Sequence, residues 1–269
     1  MDILYAILLG IVEGITEFLP ISSTGHLIIV EEFLKLPPRV KVPFDVIIQL
    51  GAILAVIWLF RHKIIDLLRR LPSDRSAQRF ALAIVIASIP AGLLGFLLRN
   101  AIQARLYNPL SVALALIVGG VIMWLLDTGA ERPGTLKDVQ AITPVQAVGV
   151  GIAQAFSLWP GTSRSAATII GGLLMRLDRQ AAVEFSFWLA IPIMLAATGY
   201  EAVKSARGLA GSEWLLIGVG FVAAFITAFV VVRWFLHWVS NHTLRPFALY
   251  RIILGGLVLC LFFLGIISS

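Results

Sequence analysis

Apolar residues in this chain run in long, nearly unbroken stretches. Six of them, 44–60, 80–98, 109–126, 182–203, 213–238 and 246–267, are each long enough to cross a hydrocarbon core of about 30 Å, which takes about 17–25 helical residues. Two regions differ. Residues 3–19 with 24–36, and 143–157 with 165–176, are pairs of short apolar pieces broken by Pro, Gly and Ser. The second piece of each pair is too short to span. Each pair therefore reads as a re-entrant helical hairpin, an arrangement tolerated only where protein or a water cavity satisfies the freed backbone groups. The pattern predicts an all-α integral membrane protein with six transmembrane helices and two re-entrant hairpins.

Sliding the chain on itself by 141 residues brings the two broken regions together without a gap. Gly10 and Ile11 fall on Gly151 and Ile152, Glu13 on Gln154, Ser22 on Ser163, Ile28 and Ile29 on Ile169 and Ile170, Phe44 on Phe185, and Leu54 and Ala55 on Leu195 and Ala196. Each half then holds one hairpin and three spans. An odd number of crossings per half inverts the second against the first, and paired helix breaks in such a repeat point to a binding site. The chain reads as a single polytopic membrane domain, 1–269, with repeat 1 over about 1–126 and repeat 2 over about 143–269.

Composition supports a membrane protein. Hydrophobic residues make up 59% and charged residues 13%, with a mean hydropathy of +0.95, against about 45–50% and about 25% in a soluble domain. A water-soluble globule, a disordered chain, collagen and a disulfide scaffold are excluded. Cys260, the one cysteine, lies inside LGGLVLCLFF as a small lipid- or core-facing residue. A net charge of +6 and a pI near 9.9 would suit nucleic acid, but the basic residues lie between apolar runs and form no stripe with aromatics, so no nucleic-acid partner is expected. Their placement is a topology signal. Loops 61–79, 127–142, 176–181 and 233–245 must share one face, and that face carries 12 of the 21 Lys and Arg against 7 on the other. The positive-inside rule makes it cytoplasmic, with both termini outside. Asp2 stands where a cleavable signal would be basic, so the first helix is expected to stay.

Few residues inside the apolar runs carry chemistry. Glu13 and Glu17 lie at i and i+4 in LLGIVEGITEFLP, on one helix face, where like charges repel unless a cation or proton separates them. They are either the wet face of an interfacial helix or a hard-cation site of the kind Mg²⁺ takes, completed by water and substrate phosphate. Next comes Pro20-Ile21-Ser22-Ser23-Thr24-Gly25-His26. Its hydroxyls can be helix caps. Close to them, His26 can act as base to a hydroxyl or acid to a leaving oxygen. The matching break is Trp159-Pro160-Gly161-Thr162-Ser163-Arg164-Ser165-Ala166-Ala167-Thr168. Arg164 cannot shed its proton, and its planar fork fits phosphate oxygens in pairs; the alternative is a salt bridge to Glu13 or Glu17 alone. Helix-opening N–H groups there add positive potential.

A carboxylate pair, a Ser with a His, and an Arg at helix starts describe phosphoryl transfer, in which positioning and electrostatics dominate. In a membrane, the natural substrate is a lipid phosphate or diphosphate. The rival is a transporter or flippase of an anionic lipid, which needs the Arg but gains little from a Ser and His beside two carboxylates. Gln49 and Gln154 are candidates to line the site. Arg251 and Glu184 are candidates of the same kind, with helix pairing or snorkelling as the alternative, while Glu31, Glu32, Glu131, Lys137 and Asp138 read as solvated. Small-residue steps such as Gly119-Gly120, Gly171-Gly172 and Gly255-Gly256 allow close helix packing, including that of a homodimer.

At these residues the sequence resembles the bacterial undecaprenyl-diphosphate phosphatase family, also known as bacitracin-resistance proteins. EGITEFLPISSTGHL fits its E-x-x-x-E and S-S-x-G-H region, and PGTSRSAAT fits its P-G-x-S-R-S-x-x-T signature; FDVIIQLGAILAV and EFSFWLAIPIM are similar to family sequence too. The resemblance implies hydrolysis of a polyprenyl diphosphate lipid in the bacterial inner membrane, at a site opening to the periplasmic side and dependent on a divalent cation, Mg²⁺ or Ca²⁺. It implies that Glu13 and Glu17 are the acidic, metal-holding pair, that Glu17, Ser23, His26 and Arg164 are catalytic, and that Ser22, Thr24, Ser163, Arg164, Ser165 and Thr168 bind phosphate. Ser23 is the favoured nucleophile, with Glu17 or His26 as its base; His26 itself or an activated water are the rivals.

Overall fold

The computed structural model describes residues 2–34, 38–129, 135–205 and 211–267. Glu131 lies outside them, and so do the side chains of Glu31 and Glu32. Among the described residues the chain is helical, in ten α-helices: α1 (Ile3–Thr16), α2 (Ser23–Leu34), α3 (Pro38–Arg70), α4 (Arg75–Leu106), α5 (Pro109–Leu126), α6 (Pro144–Ala155), α7 (Arg164–Leu174), α8 (Arg179–Ser205), α9 (Gly211–Val239) and α10 (Arg245–Phe263). Six apolar segments are long enough to cross a membrane, and they match the six expected spans: Pro43–Arg70, Arg75–Leu106, Pro109–Leu126, Arg179–Tyr200, Glu213–Val239 and Arg245–Phe263. Both broken regions form helix–break–helix pairs, α1–α2 and α6–α7. The starts of α1 and α6, α2 and α7, and α3 and α8 are each 141 residues apart.

The two halves interlock. α1 packs along α9 while α6 packs along α4, and α5 pairs with α10 as α3 does with α8. Small residues permit the closest approaches: a Cβ on Gly10 would sit 2.3 Å from the Gly220 carbonyl oxygen, and one on Gly151 would sit 2.7 Å from that of Ala87. Interfaces of small residues are how helices associate where apolar side chains gain nothing by leaving lipid. The core between the halves is aromatic. Phe60, Phe80, Phe185, Phe187, Trp188 and Phe235 meet largely edge to face, with ring centroids 5.3–6.4 Å apart. Outward-facing residues such as Leu82, Val85, Ile89 and Leu93 on α4 are exposed apolar groups at helical spacing, which is a lipid-facing stripe. Cys260 is exposed on α10 in the same manner.

Hydrogen bonds tie together the four loops expected on one face. Arg70 donates to Gln140 Oε1 at 3.2 Å. Asp127, at the end of α5, accepts two bonds from Arg179, of 3.0 and 2.7 Å, and one of 2.6 Å from the Leu244 amide before α10. The α6–α7 hairpin begins and ends at this face: Gln146 near its start donates to the Met175 carbonyl at 2.9 Å, and Leu136 exchanges backbone bonds with Arg176 and Asp178. Asp138 accepts from the Gln140 amide there, as the polar loop required.

Candidate functional site

Glu13 and Glu17 come from the end of α1. Glu13 is fully buried and Glu17 is 8% exposed, so this is no wet helix face. Phe18 anchors the break by inserting into the aromatic core, 5.8 Å from Phe187. α2 then begins at Ser23, whose Oγ donates to Glu17 Oε2 at 2.7 Å. A carboxylate that accepts from a hydroxyl is placed to take its proton.

The second break supplies the cation. Arg164 opens α7 and lies 3.6 Å (Nη2) from Glu17 Oε1, over the Phe18 ring at 5.6 Å, with Nη1 donating to the Ser186 carbonyl at 3.1 Å. Its Nε and Nη2 are buried and make no hydrogen bond. That edge of the guanidinium is the one that grips phosphate or carboxylate in a bidentate pair. A salt bridge to Glu17 is present, yet at 3.6 Å it leaves these donors unspent. The other hydroxyls form a buried chain. Ser163 caps α7 through the Ala166 amide at 3.2 Å and meets Ser165 Oγ at 2.9 Å; Ser165 donates to the Leu19 carbonyl at 2.8 Å, and Thr168 donates to Ser186 Oγ at 2.7 Å. The Ser165–Leu19 bond joins the two breaks directly.

The breaks share a backbone conformation. Ser22 and Ser163, equivalent under the 141-residue shift, have φ of 70° and 71°, in the left-handed region that non-glycine residues rarely occupy. Each such residue costs about 1–3 kcal/mol and persists where its surroundings hold it, which is characteristic of functional sites. Gly161 has φ of +92°, and a Cβ there would lie 2.4 Å from the Val112 carbonyl oxygen. Gly161→Ala is expected to destabilise the protein by about 2–5 kcal/mol, the sum of a left-handed penalty and overpacking. A thermal unfolding curve in detergent reads this, and an unshifted midpoint would contradict it.

Sequence reasoning left two residues, adjacent on α10, without an assigned role. Arg251 is fully buried, so it does not snorkel; it pairs α10 with α5 as expected, but through backbone carbonyls, and reaches both breaks as well. Its Nη1 donates to the Pro20 carbonyl at 3.3 Å and its Nη2 to those of Gly161 and Ala115 at 3.2 and 3.1 Å, while Nε donates to Leu116 at 3.3 Å. Pro20 and Gly161 are also equivalent positions, so one guanidinium ties both breaks together. Gly119 is its seat, since a Cβ there would stand 2.3 Å from Nη2. Tyr250 Oη lies 2.6 Å from His26 Nε2, and His26 Nδ1 lies 2.8 Å from the Ser22 carbonyl. Neither of these contacts joins His26 to Ser23, so the hydroxyl's partner is Glu17. Thr24 is half-buried with no side-chain hydrogen bond among the described residues. Gln154 donates to the Ala87 carbonyl at 3.1 Å, helping α6 pack on α4, and Glu184 pairs with Lys63 at 2.6 Å.

Among the described residues no three His, Cys, Asp or Glu side chains converge on a metal site. The acidic pair fits a hard divalent cation as partial ligands. Glu13 and Glu17 are oxygen donors one turn apart, which water and phosphate oxygens would join in completing a coordination shell.

This arrangement matches a known group of proteins. Residues 6–257 fit the family of the bacitracin resistance protein BacA. The chain is 51% identical to undecaprenyl-diphosphatase 1 of Burkholderia cenocepacia (strain HI2424) over 263 residues, covering 97% of this chain and 95% of that protein. It is 49% identical over 284 residues to undecaprenyl-diphosphatase of Ralstonia nicotianae (strain ATCC BAA-1114 / GMI1000), covering 96% of each. With a family match over residues 6–257 and relatives about half identical along nearly its whole length, this multi-pass membrane chain belongs to the BacA family.

Proposed function

We propose that this protein is a membrane-embedded phosphatase that hydrolyses undecaprenyl diphosphate to undecaprenyl phosphate and inorganic phosphate, recycling the carrier lipid for peptidoglycan synthesis and conferring bacitracin resistance. The observation that carries the reading is the buried, unbonded Nε/Nη2 edge of Arg164 next to a hydroxyl already bonded to a carboxylate. Arg164, with the amides that open α7, grips the terminal phosphate. Ser23 Oγ attacks its phosphorus while Glu17 takes the hydroxyl proton. The bridging P–O bond breaks, and the departing lipid phosphate receives that proton from Glu17. Water then attacks the phosphoserine, Glu17 accepts a proton from it, and Ser23 Oγ regains one as inorganic phosphate leaves. Glu13 and Glu17 would hold Mg²⁺ or Ca²⁺, which supplies charge neutralisation on the phosphate oxygens. Ser22, Ser163, Ser165 and Thr168 shape the phosphate cradle, and His26 is the second proton-carrying group.

The matched helix starts, the shared φ of Ser22 and Ser163, and the reciprocal pairing of α1 with α9 and α6 with α4 support reading the fold as an inverted repeat with two re-entrant hairpins. The site lies in the bacterial inner membrane in this reading, and the charge bias supports access from the periplasmic side. A lipid carrier would have no use for a serine bonded to a carboxylate, which is why hydrolysis is preferred.

The test is phosphate release by purified protein in detergent from a long-chain isoprenyl diphosphate. Release by the wild type should stop with EDTA and fall by at least about a hundredfold in Ser23→Ala, in line with loss of a positioned nucleophile. Full release by Ser23→Ala would transfer the attack to water or His26. A wild type that binds the lipid without releasing phosphate is a carrier.

A further inference from the structure

We infer that Tyr250 is a positioning residue for His26: its hydroxyl holds Nε2 of an imidazole whose tautomer the Ser22 carbonyl sets, and it stands at the only ring nitrogen through which a proton can pass. The inference deepens the phosphatase reading and rests on it for its kinetic arm. The argument starts from His26 Nδ1, 2.8 Å from the Ser22 carbonyl oxygen. A carbonyl only accepts, so Nδ1 carries hydrogen, and in the neutral ring Nε2 is left as a bare lone pair. Tyr250 Oη is 2.6 Å from Nε2. The phenol therefore donates to it, and its ring lies nearly parallel to the imidazole, with centroids 5.5 Å apart and planes 6° from each other.

Two consequences follow. His26 is held at both nitrogens, one to the strained backbone of the first break and one to α10, so its orientation is coupled to the same residue, Ser22, whose left-handed φ sets the direction of α2. In addition, with Nδ1 committed to a carbonyl, any proton that His26 takes up or gives away crosses Nε2, where Tyr250 stands. A tyrosine beside Arg251, which binds both breaks, makes this two-residue step of α10 a third component of the site. The Ser22 carbonyl, on the nitrogen that carries no moving proton, orients the ring in the way that such second partners of a histidine do generally.

Uniform ¹⁵N-histidine labelling gives only four side chains to resolve, His26, His62, His237 and His242, and His26→Gln assigns the one in question. The wild type in detergent should show His26 with a protonated Nδ1 and a hydrogen-bonded, bare Nε2. Tyr250→Phe keeps the ring and should leave Nδ1 protonated while moving the Nε2 resonance through loss of its hydrogen bond. The kcat for phosphate release should fall about tenfold to a hundredfold, with KM within about twofold of wild type. Placing 3-fluorotyrosine at position 250 preserves shape while strengthening the donor, and it should move the Nε2 resonance. An unchanged Nε2 resonance in both substitutions overturns the Tyr250–His26 hydrogen bond whether or not the protein is a phosphatase. A shifted spectrum with wild-type kcat overturns the catalytic consequence, and an inactive wild type with the expected spectrum fails the phosphatase reading alone.

Discussion

Arg164→Met is expected to lower kcat/KM for phosphate release by about 10²–10⁴. The two open donors of Arg164 are the site's means of gripping an anion, and charge-assisted hydrogen bonds are worth about 1.5–3 kcal/mol each. Losing two of them, about 3–6 kcal/mol, gives that range at 1.36 kcal/mol per factor of ten. The substitution also strips Glu17 of its ion pair, which adds to the loss. Arg164→Lys should recover little, because an ammonium is a point donor and cannot serve the Ser186 carbonyl and two phosphate oxygens in the fork's geometry. Rates within tenfold of wild type for Arg164→Met would remove the residue from the phosphate cradle.

Arg251→Met is expected to abolish most activity from a position that bonds only backbone carbonyls. The side chain lies among Pro20, Ala115, Leu116 and Gly161, with its charge satisfied by carbonyl dipoles and not by a carboxylate. Methionine fills similar volume and leaves the carbonyls of Pro20 and Gly161 without this donor, at about 1–3 kcal/mol each. We expect a lower unfolding midpoint in detergent and a fall in kcat/KM of about a hundredfold or more, the scale reached when reacting groups shift by about 1 Å. Arg251→Lys should behave similarly, since one ammonium cannot span four acceptors. Near-wild-type turnover in Arg251→Met would mean that the breaks hold their alignment through the Ser165–Leu19 bond alone.

The sequence was most legible where physics acts locally. Apolar run length gave the six spans, because a bilayer sets the length a helix needs, and Pro-Ile-Ser-Ser and Pro-Gly-Thr-Ser marked the two interruptions. Glu17, Ser23 and Arg164 were recognisable because each is costly at membrane depth unless it is used. Arg251 carried the same signal, one cation in an apolar span, but its partners are carbonyls, and a carbonyl leaves no trace in residue identity. Tyr250 was harder still, since a tyrosine at that depth is an ordinary lipid-facing side chain until its distance to His26 is known. The split of roles between Glu17 and His26 depended on rotamers. Sequence spacing brought both within reach of Ser23, and only the geometry assigned the hydroxyl to the carboxylate.

The interlocking of the halves has a consequence for biosynthesis. α1 lies against α9, with Gly10 and Gly14 in van der Waals contact with its backbone, yet about 200 residues of chain separate the two helices. At synthesis rates of about 5–20 residues per second, α1 waits roughly 10–40 s for its permanent neighbour, carrying two carboxylates that the finished protein buries. During that interval α1 has only its own hairpin partner α2 and the neighbouring α3 to hold it. Assembly is thus a late, long-range event, in which the last helices to leave the ribosome close the site around the first.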